Sequence, residues 1–211
     1  MSSDSLASRF KAAALDSLRA HRTLSRAWRA TAWAALALAV ICALYPSNHA
    51  RDYAGPRGGQ NEVMVVLVEE SLRHINTAAA IALPLVQRDL AGLAQLVVVT
   101  VVGTAATHIP KRLLNEWEVA GSRLGQRPLN TDSKHNVPSG HSSLASAAAW
   151  FVCRRYGWRW AWLLLPVALA TMWARVMLDA HTTSAVLSGL FVGMAVALFF
   201  VTPARASPFK T

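Results

Sequence analysis

The chain has 211 residues, of which 54% are apolar and 15% are charged, and its formal net charge is +10. In a soluble protein this charge would favour a nucleic-acid partner. Here the basic residues stand at the ends of long apolar runs, so we expect a membrane protein that binds no nucleic acid. Cys42 and Cys153 fall in or beside apolar runs, which is typical of buried thiols and not of a disulfide framework.

Residues 1–27 are expected to form a basic cytoplasmic segment. The apolar run after it ends at Tyr45-Pro46 without a small-residue cleavage pattern, so we expect a retained anchor and no cleaved signal peptide. We interpret the segment as a positive-inside flank. A basic amphipathic helix over residues 5–30, on an anionic membrane surface, is the alternative. The basic residues are Arg9, Lys11, Arg19, Arg22, Arg26 and Arg29.

Apolar runs predict an all-α polytopic membrane protein with six spans in one bundle. Residues 28–201 would form the six-helix membrane domain and residues 202–211 a cytoplasmic tail. The second span is interrupted at its start by charges that we expect at or outside the bilayer edge, and the fourth is short. The predicted spans are 28–45, 66–86, 91–109, 141–153, 160–178 and 182–201, and the interrupting residues are Glu69, Glu70, Arg73 and His74.

The Lys/Arg bias of the short loops predicts the orientation. With a cytoplasmic N-terminus, residues 46–62, 110–140 and the turn near Asp179 fall on the opposite face. Seven residues that could bind or transfer a phosphate then lie at span ends on that one face. Randomly placed polar residues would be divided between the two faces of the membrane. The cytoplasmic basic residues are Arg88, Arg154, Arg155, Arg159, Arg205 and Lys210. The residues sharing the opposite face are Lys111, Arg127, Ser139, Gly140, His141, Arg175 and His181.

Lys111, Arg112 and Arg127 frame the loop that leaves the third span. Cations placed there would stabilise a bound phosphomonoester and its transition state, although charges also simply make a loop soluble. The sequence has no acidic cluster fit for a magnesium pair, so we expect neither a metal nor another cofactor. Residues 130–136 are expected to form a polar loop over the site.

The run Pro138-Ser139-Gly140-His141 precedes a helical stretch. A glycine permits close backbone contact, and the free N–H groups of a first helical turn point at an anion. The same four residues also fit an N-cap turn with a surface histidine. The pattern alone does not decide between the two.

Arg175 and His181 bracket the turn between the fifth and sixth spans. Taken alone, the arginine is typical of a side chain that snorkels to the membrane boundary, and the histidine is typical of a polar residue at that boundary. Facing the same aqueous layer as His141, they form a plausible phosphate clamp and nucleophile, because the planar guanidinium binds two phosphate oxygens at once.

These residues resemble the signature of the type 2 phosphatidic acid phosphatase superfamily, which reads K-x6-R-P, P-S-G-H and S-R-x5-H-x3-D. The second part is complete at Pro138–His141. In the third, Arg175 and His181 stand at the expected spacing, but Ala174 replaces the serine and Ala185 the aspartate.

The first part of that signature is stretched, since fifteen residues separate Lys111 from Arg127-Pro128. The longer pattern resembles one branch of the superfamily, the lipid A 1-phosphatases of Gram-negative inner membranes. The likeness covers about residues 75–205, and the segments that carry it are 84–89, 107–112, 123–128, 137–143, 154–157 and 174–182.

The resemblance implies a six-helix bundle with its active site on the periplasmic face. It implies that His181 attacks phosphorus to give a phosphohistidine, that His141 protonates the leaving oxygen, and that water then hydrolyses the intermediate without a metal. The residues that it implies for holding the phosphate are Lys111, Arg127, Ser139, Gly140 and Arg175.

Ala185 stands where the family aspartate would accept a hydrogen bond from the nucleophilic imidazole. Three replacements are open: Ser184, Asp179 or a backbone carbonyl. Our hypothesis is that a neutral acceptor or Asp179 takes this role. Arg112 and Arg123 are further candidate supports around the phosphate.

The leading functional hypothesis is hydrolysis of the 1-phosphate of lipid A. The alternatives are dephosphorylation of undecaprenyl pyrophosphate or phosphatidylglycerol phosphate by the same chemistry, and a non-catalytic membrane protein that binds lipid phosphate. Phosphate contacts are generic, so we expect headgroup choice to come from the 110–140 loop and the lateral opening between helices. No protein partner is inferred.

Overall fold

A computed structural model describes residues 5–204, which are mostly helical. The predicted positions of Arg205 and Lys210, and most of the predicted tail, lie outside the described residues. The helices are α1 Leu6–Arg19, α2 Arg26–Leu44, α3 His49–Asp52, α4 Val63–Leu67, α5 His74–Val86, α6 Leu90–Leu113, α7 Gly140–Tyr156, α8 Ala161–Met177 and α9 Thr183–Phe200. A small antiparallel hairpin joins β1 Glu118–Val119 to β2 Ser122–Arg123.

The all-α membrane architecture is confirmed, and each predicted span coincides with helix to within a few residues. Between residues 5 and 204, four helical segments are long and apolar enough to cross a bilayer: Arg26–Leu44, Leu90–Leu113, Trp158–Met177 and Thr183–Phe200. The other two predicted spans contain α5, with 13 residues, and α7, with 17. The count of six spans therefore stays a prediction.

The charges that interrupt the second span lie in an unusual stretch of backbone. Residues Val68–Leu72 form a π-helical segment between α4 and α5, and it carries Glu69 and Glu70, with Arg73 directly after it. Single-turn π segments are frequent at functional sites, because the extra residue redirects side chains. From this segment the Glu69 carboxylate reaches Arg175 of α8, at 2.7 Å.

Helices α7 and α9 pack with their backbones in close approach. An added Cβ at Gly189 would collide with the Ser139 carbonyl oxygen, and one at Gly193 with the Ser143 carbonyl oxygen. The Ser146 hydroxyl donates to the Leu190 carbonyl across the same seam, at 2.7 Å. Small residues at such an interface let two helices approach closely in a membrane. The first turns of both helices are thereby held side by side.

Buried polar side chains tie the other helices to this pair. Asn76 of α5 donates to the carbonyl oxygens of Ala145 in α7, at 3.1 Å, and Leu164 in α8, at 3.0 Å. The Ser188 hydroxyl of α9 donates to the Ala39 carbonyl of α2, at 2.9 Å. Such bonds hold helices in register where lipid offers no competing water.

Arg155 closes the end of the bundle that we predict to be cytoplasmic. Its guanidinium donates to both carboxylate oxygens of Asp89, at 2.6 and 2.7 Å, and to the Thr202 carbonyl, at 3.0 Å. Asp89 also accepts from the Gly92 N–H at 2.9 Å and so caps α6. Burial acts to raise the pKa of Asp89, but the bonds from Arg155 and Gly92 outweigh it and lower the pKa.

The N-terminal segment, interpreted from the sequence as a positive-inside flank, contains helix α1. Its Ser17 hydroxyl donates to the Phe200 carbonyl at 2.7 Å, and Ser17 and Ala20 are buried while Arg9 and Lys11 are exposed. The helix of the alternative interpretation is thus present over Leu6–Arg19, shorter than the 5–30 that the pattern allowed.

We expect Arg155→Ala to lower the free energy of unfolding by about 3 kcal/mol, because it leaves the largely buried Asp89 carboxylate without its cation. Thermal unfolding in detergent would measure the change. Arg159→Ala is the matched control, because it removes an exposed cation near the same end of the bundle. Equal destabilisation by both variants would contradict the role given to the Arg155–Asp89 pair.

Candidate active site

A cavity of about 620 Å³ opens between α5, α6 and α7. Its polar end collects most of the residues that the sequence predicted for the site, although they come from four separate parts of the chain. Its floor is apolar. The polar end is lined by Lys111, Arg127, Gly140, His141, Arg175 and His181, and the floor by Ile81, Leu96, Val99, Leu144 and Ala148.

The apolar part of the cavity runs along the helices. Lys111 lines its polar end and Leu96 its deep end, and both lie on α6. At 1.5 Å per residue this separation corresponds to about 22 Å along the helix axis. A cavity with cations at the bundle end and apolar walls toward the middle fits an amphipathic ligand with an anionic head.

His181 lies in the turn between α8 and α9 and is only 3% exposed. Its Nδ1 is 3.3 Å from the side-chain oxygen of Asn136. Burial lowers the pKa of His181 well below its usual range, and the positive charges of Lys111, Arg127 and Arg175 lower it further. The imidazole is therefore neutral at physiological pH, as a nucleophile requires.

His141 is the second residue of α7 and is open to the cavity. Its Nε2 lies 2.9 Å from a terminal nitrogen of Arg73. Because a guanidinium only donates, Nε2 must accept, and the neutral ring carries its proton on Nδ1. Sequence reasoning missed Arg73, which it placed at the bilayer edge.

Glu69 joins two arginines of the site. One of its carboxylate oxygens lies 2.7 Å from Arg175 and 2.6 Å from Arg73. The other oxygen, and the Nε of Arg175, are buried without a partner among residues 5–204. An unpaired guanidinium N–H beside the cavity offers a position for a phosphate oxygen. The available sequence signal was a carboxylate inside an apolar run.

Lys111 is a buried cation, 9% exposed, with no carboxylate within 4.0 Å in the part of the chain that the structure describes. Its Nζ lies 4.0 Å from where a Cβ of residue 140 would stand. No side chain caps α7, so the N–H groups of its first turn remain available beside this ammonium. A desolvated cation next to open N–H groups favours an anion.

Arg127 reaches the cavity from the loop between α6 and α7. Its backbone N–H donates to the Ser133 hydroxyl at 2.7 Å, and its Nε to the Lys134 carbonyl at 3.2 Å. Arg123 holds the same loop by donating to the carbonyls of Thr131, at 2.6 Å, and Ser133, at 2.7 Å. Arg123 therefore supports the site through the loop and does not line the cavity.

Two other expected residues lie apart from the cavity. Arg112 is exposed and, within residues 5–204, its side chain bonds only to the His108 carbonyl of its own helix, at 3.5 Å. Ser139 is fully buried, and its N–H donates to the Ala185 carbonyl at 2.9 Å. Ser139 thus fixes the turn before His141 and does not itself line the cavity.

Neither named substitute for the missing aspartate contacts His181. Both oxygens of Asp179 accept from Arg57, including its N–H at 2.8 Å. The Ser184 hydroxyl pairs with Thr182 at 3.0 Å and with Ser47 at 3.2 Å. Residues of the loops before α3 and α4 therefore bind these two side chains. This corrects the expectation that Asp179 or Ser184 replaces the family aspartate as the partner of His181.

Comparisons with known proteins relate this chain to a family. The profile of the PAP2 superfamily matches residues 92–207. A lipid A 1-phosphatase of Helicobacter pylori strain 26695 is 40% identical over 150 residues, which cover 71% of this chain and 78% of the relative. The protein of the same name from strain J99 is 42% identical over 135 residues, covering 64% and 70%.

Two further relatives are more distant. A lipid A 4'-phosphatase of Helicobacter pylori strain J99 is 34% identical over 118 residues, covering 55% of this chain and 59% of the relative. The crystal structure of a transmembrane PAP2-type phosphatidylglycerolphosphate phosphatase from Bacillus subtilis aligns with 90% of both chains, at 18% identity and a TM-score of 0.45.

We expect Lys111→Met to weaken binding of inorganic phosphate to the purified protein by roughly 10- to 100-fold, because it removes an unpaired buried cation beside the α7 turn. Isothermal titration would measure the dissociation constant. Arg112→Met is the control, since it removes the adjacent but exposed cation. An equal loss in both variants would show a general charge effect and would contradict a specific contact from Lys111.

Proposed function

The chain belongs to the PAP2 superfamily, and we propose that it is a membrane lipid phosphatase that hydrolyses the 1-phosphate of lipid A. The observation that carries the proposal is the single cavity in which two histidines and three cations meet at the head of an apolar groove. The names of the two Helicobacter relatives support the choice of lipid A and of its 1-phosphate.

In the proposed reaction, the Nε2 of His181 attacks phosphorus, and the bond from phosphorus to the lipid oxygen breaks. His141 enters this step as the imidazolium, with its Nε2 released from Arg73 and protonated, and gives that oxygen a proton. The products of this step are the lipid alcohol, a phosphohistidine and neutral His141. A water molecule then gives a proton back to His141 and attacks the phosphohistidine. Inorganic phosphate leaves, and His181 returns to its neutral form.

Lys111, Arg127 and Arg175 would hold the three non-bridging oxygens through both steps. Charge spreads over these oxygens in the transition state, and buried donors that are already in place stabilise it without reorganising. The N–H groups at Gly140 and His141 add backbone donors. Arg175 must bind both Glu69 and the phosphate. This is possible because Glu69 is also bound by Arg73 and does not depend on Arg175 alone.

The groove supports a lipid over a soluble phosphate ester. Its apolar walls would remain unfilled by a small substrate, whereas an acyl chain beside the headgroup would cover them. Choice of headgroup falls to the loop between α6 and α7, which carries Arg127 and lies over the polar end. Undecaprenyl pyrophosphate, phosphatidylglycerol phosphate and the 4'-phosphate of lipid A are the competing substrates for the test.

The protein is embedded in a membrane. We place it in a Gram-negative inner membrane with the site facing the periplasm. The reason is that basic residues, among them Arg88, Arg154 and those of α1, gather at the other end of the bundle. Residues 28–201 would form the catalytic domain between a cytoplasmic segment and a cytoplasmic tail. Loss of a lipid phosphate there would lower the negative surface potential and weaken binding of cationic peptides.

The test is phosphate release by purified protein from defined lipids, with a chelator present. We expect release from the 1-phosphate of lipid A, and a loss of at least roughly 1,000-fold in kcat for His181→Ala, which removes the nucleophile. His141→Ala should be slowed by roughly 100-fold or more, because the leaving oxygen loses its acid.

Full activity of His181→Ala would contradict the phosphohistidine mechanism, and loss of activity with chelator would contradict a metal-free reaction. Faster release from another lipid in the panel would replace lipid A as the substrate. Phosphate binding without any release would identify a non-catalytic lipid-binding protein.

The acid limb of kcat/KM should lie below pH 6.5, the ordinary pKa of histidine. His181 must be neutral to attack, and its burial beside three cations lowers its pKa, so the neutral form persists as the pH falls. A pH profile of kcat/KM between about pH 4 and 9 would measure the limb. An acid limb above pH 6.5 would contradict this prediction.

A further inference from the structure

We propose that Asn136 is a positioning residue that holds His181 in the tautomer with its proton on Nδ1, leaving Nε2 free to attack. The inference rests on the proposed function, because it assigns a partner to the proposed nucleophile. It would replace the carboxylate acceptor of the family signature with a neutral amide from a different part of the chain.

The position of the missing aspartate is buried among apolar side chains. The Ala185 side chain is fully buried and packs in an apolar cluster with Ala43, Val137 and Leu114. A carboxylate at residue 185 would be desolvated against these side chains. The acceptor for His181 therefore has to come from another element.

Asn136 supplies that acceptor from the end of the loop before α7. It is 2% exposed, and its side-chain oxygen lies 3.3 Å from the Nδ1 of His181. The same oxygen accepts from the Thr182 N–H at 3.1 Å, and its nitrogen donates to the Thr182 hydroxyl at 3.0 Å. The backbone of Asn136 is held in turn by a bond from its N–H to the Gly125 carbonyl, at 3.1 Å.

These contacts determine which way the amide points. The backbone N–H of Thr182 can only donate, so the amide atom facing it must be the oxygen. That oxygen also faces the Nδ1 of His181, and a shared acceptor requires a donor there. The proton of the neutral imidazole is therefore on Nδ1, and the lone pair is on Nε2.

A neutral acceptor suits the charges around His181. Lys111 on α6, Arg127 on the loop and Arg175 on α8 face it, and His141 lines the same cavity from α7. On its own turn, Asp179 is paired with Arg57. A carboxylate at 136 would stabilise the imidazolium and offset part of the positive charge that binds phosphate. The amide orients the ring without doing either.

The experiment compares Asn136→Asp and Asn136→Ala with the wild type and with Ser184→Ala, using full-length protein in detergent and the 1-phosphate of lipid A. Ser184 is the matched control, because it bonds to the same Thr182 hydroxyl as the amide of Asn136 but makes no hydrogen bond to His181. Rates are measured as kcat and KM separately across the pH range.

Asn136→Asp keeps the size of the side chain and lets the Thr182 hydroxyl donate to it. We expect it to move the acid limb of kcat/KM upward by about one to three pH units, because a carboxylate raises the pKa of the imidazole. Asn136→Ala should lower kcat by roughly 10- to 100-fold with little change in KM, since the lost bond acts on the nucleophile and not on bound lipid. Ser184→Ala should keep the wild-type limb.

An unshifted limb in Asn136→Asp, or a wild-type kcat in folded Asn136→Ala, would overturn the proposal. So would a shift of the limb in Ser184→Ala as large as that in Asn136→Asp. If Asn136→Ala fails to fold, the pH profile of Asn136→Asp decides the matter alone. Retained activity of His181→Ala would instead refute the proposed nucleophile, so the two failures are distinguishable.

Discussion

The close approach of α7 and α9 is the constraint on which the site depends. Gly189 and Gly193 place no side chain of α9 against the α7 backbone, so the turn before α7 meets the turn before α9. The bond from the Ser139 N–H to the Ala185 carbonyl then joins the two turns directly. With a larger residue at either glycine, His141 and His181 would not share one cavity.

The site that this packing forms carries more positive than negative charge. Glu69 pairs with Arg73 and Arg175 and offsets one of their two positive charges, while Lys111 has no carboxylate partner among the described residues. A dianionic phosphate would complete this set, because buried cations without partners are destabilising until an anion arrives. The apolar groove beneath contributes the affinity for the rest of the lipid.

The two buried charge clusters at opposite ends of the bundle differ in how well their polar atoms are paired. At the predicted cytoplasmic end, Arg155 and Asp89 bond to each other and to neighbouring groups. At the other end, Arg175 and Glu69 each keep a buried atom without a partner in the region described. Satisfied groups stabilise a fold, whereas unsatisfied ones at a cavity mark where a ligand binds.

The sequence by itself determined the helices and predicted that the candidate site residues gather at one end of the bundle, because hydropathy and Lys/Arg bias are read over local windows. It also identified His141, His181 and Lys111 through their motifs. Only the tertiary structure decided the partners: Asn136 for His181, and Glu69 for Arg175. The first pair is separated by 45 positions in the sequence and the second by 106. Helix packing and a buried loop bring them together, and no local sequence pattern indicates such contacts.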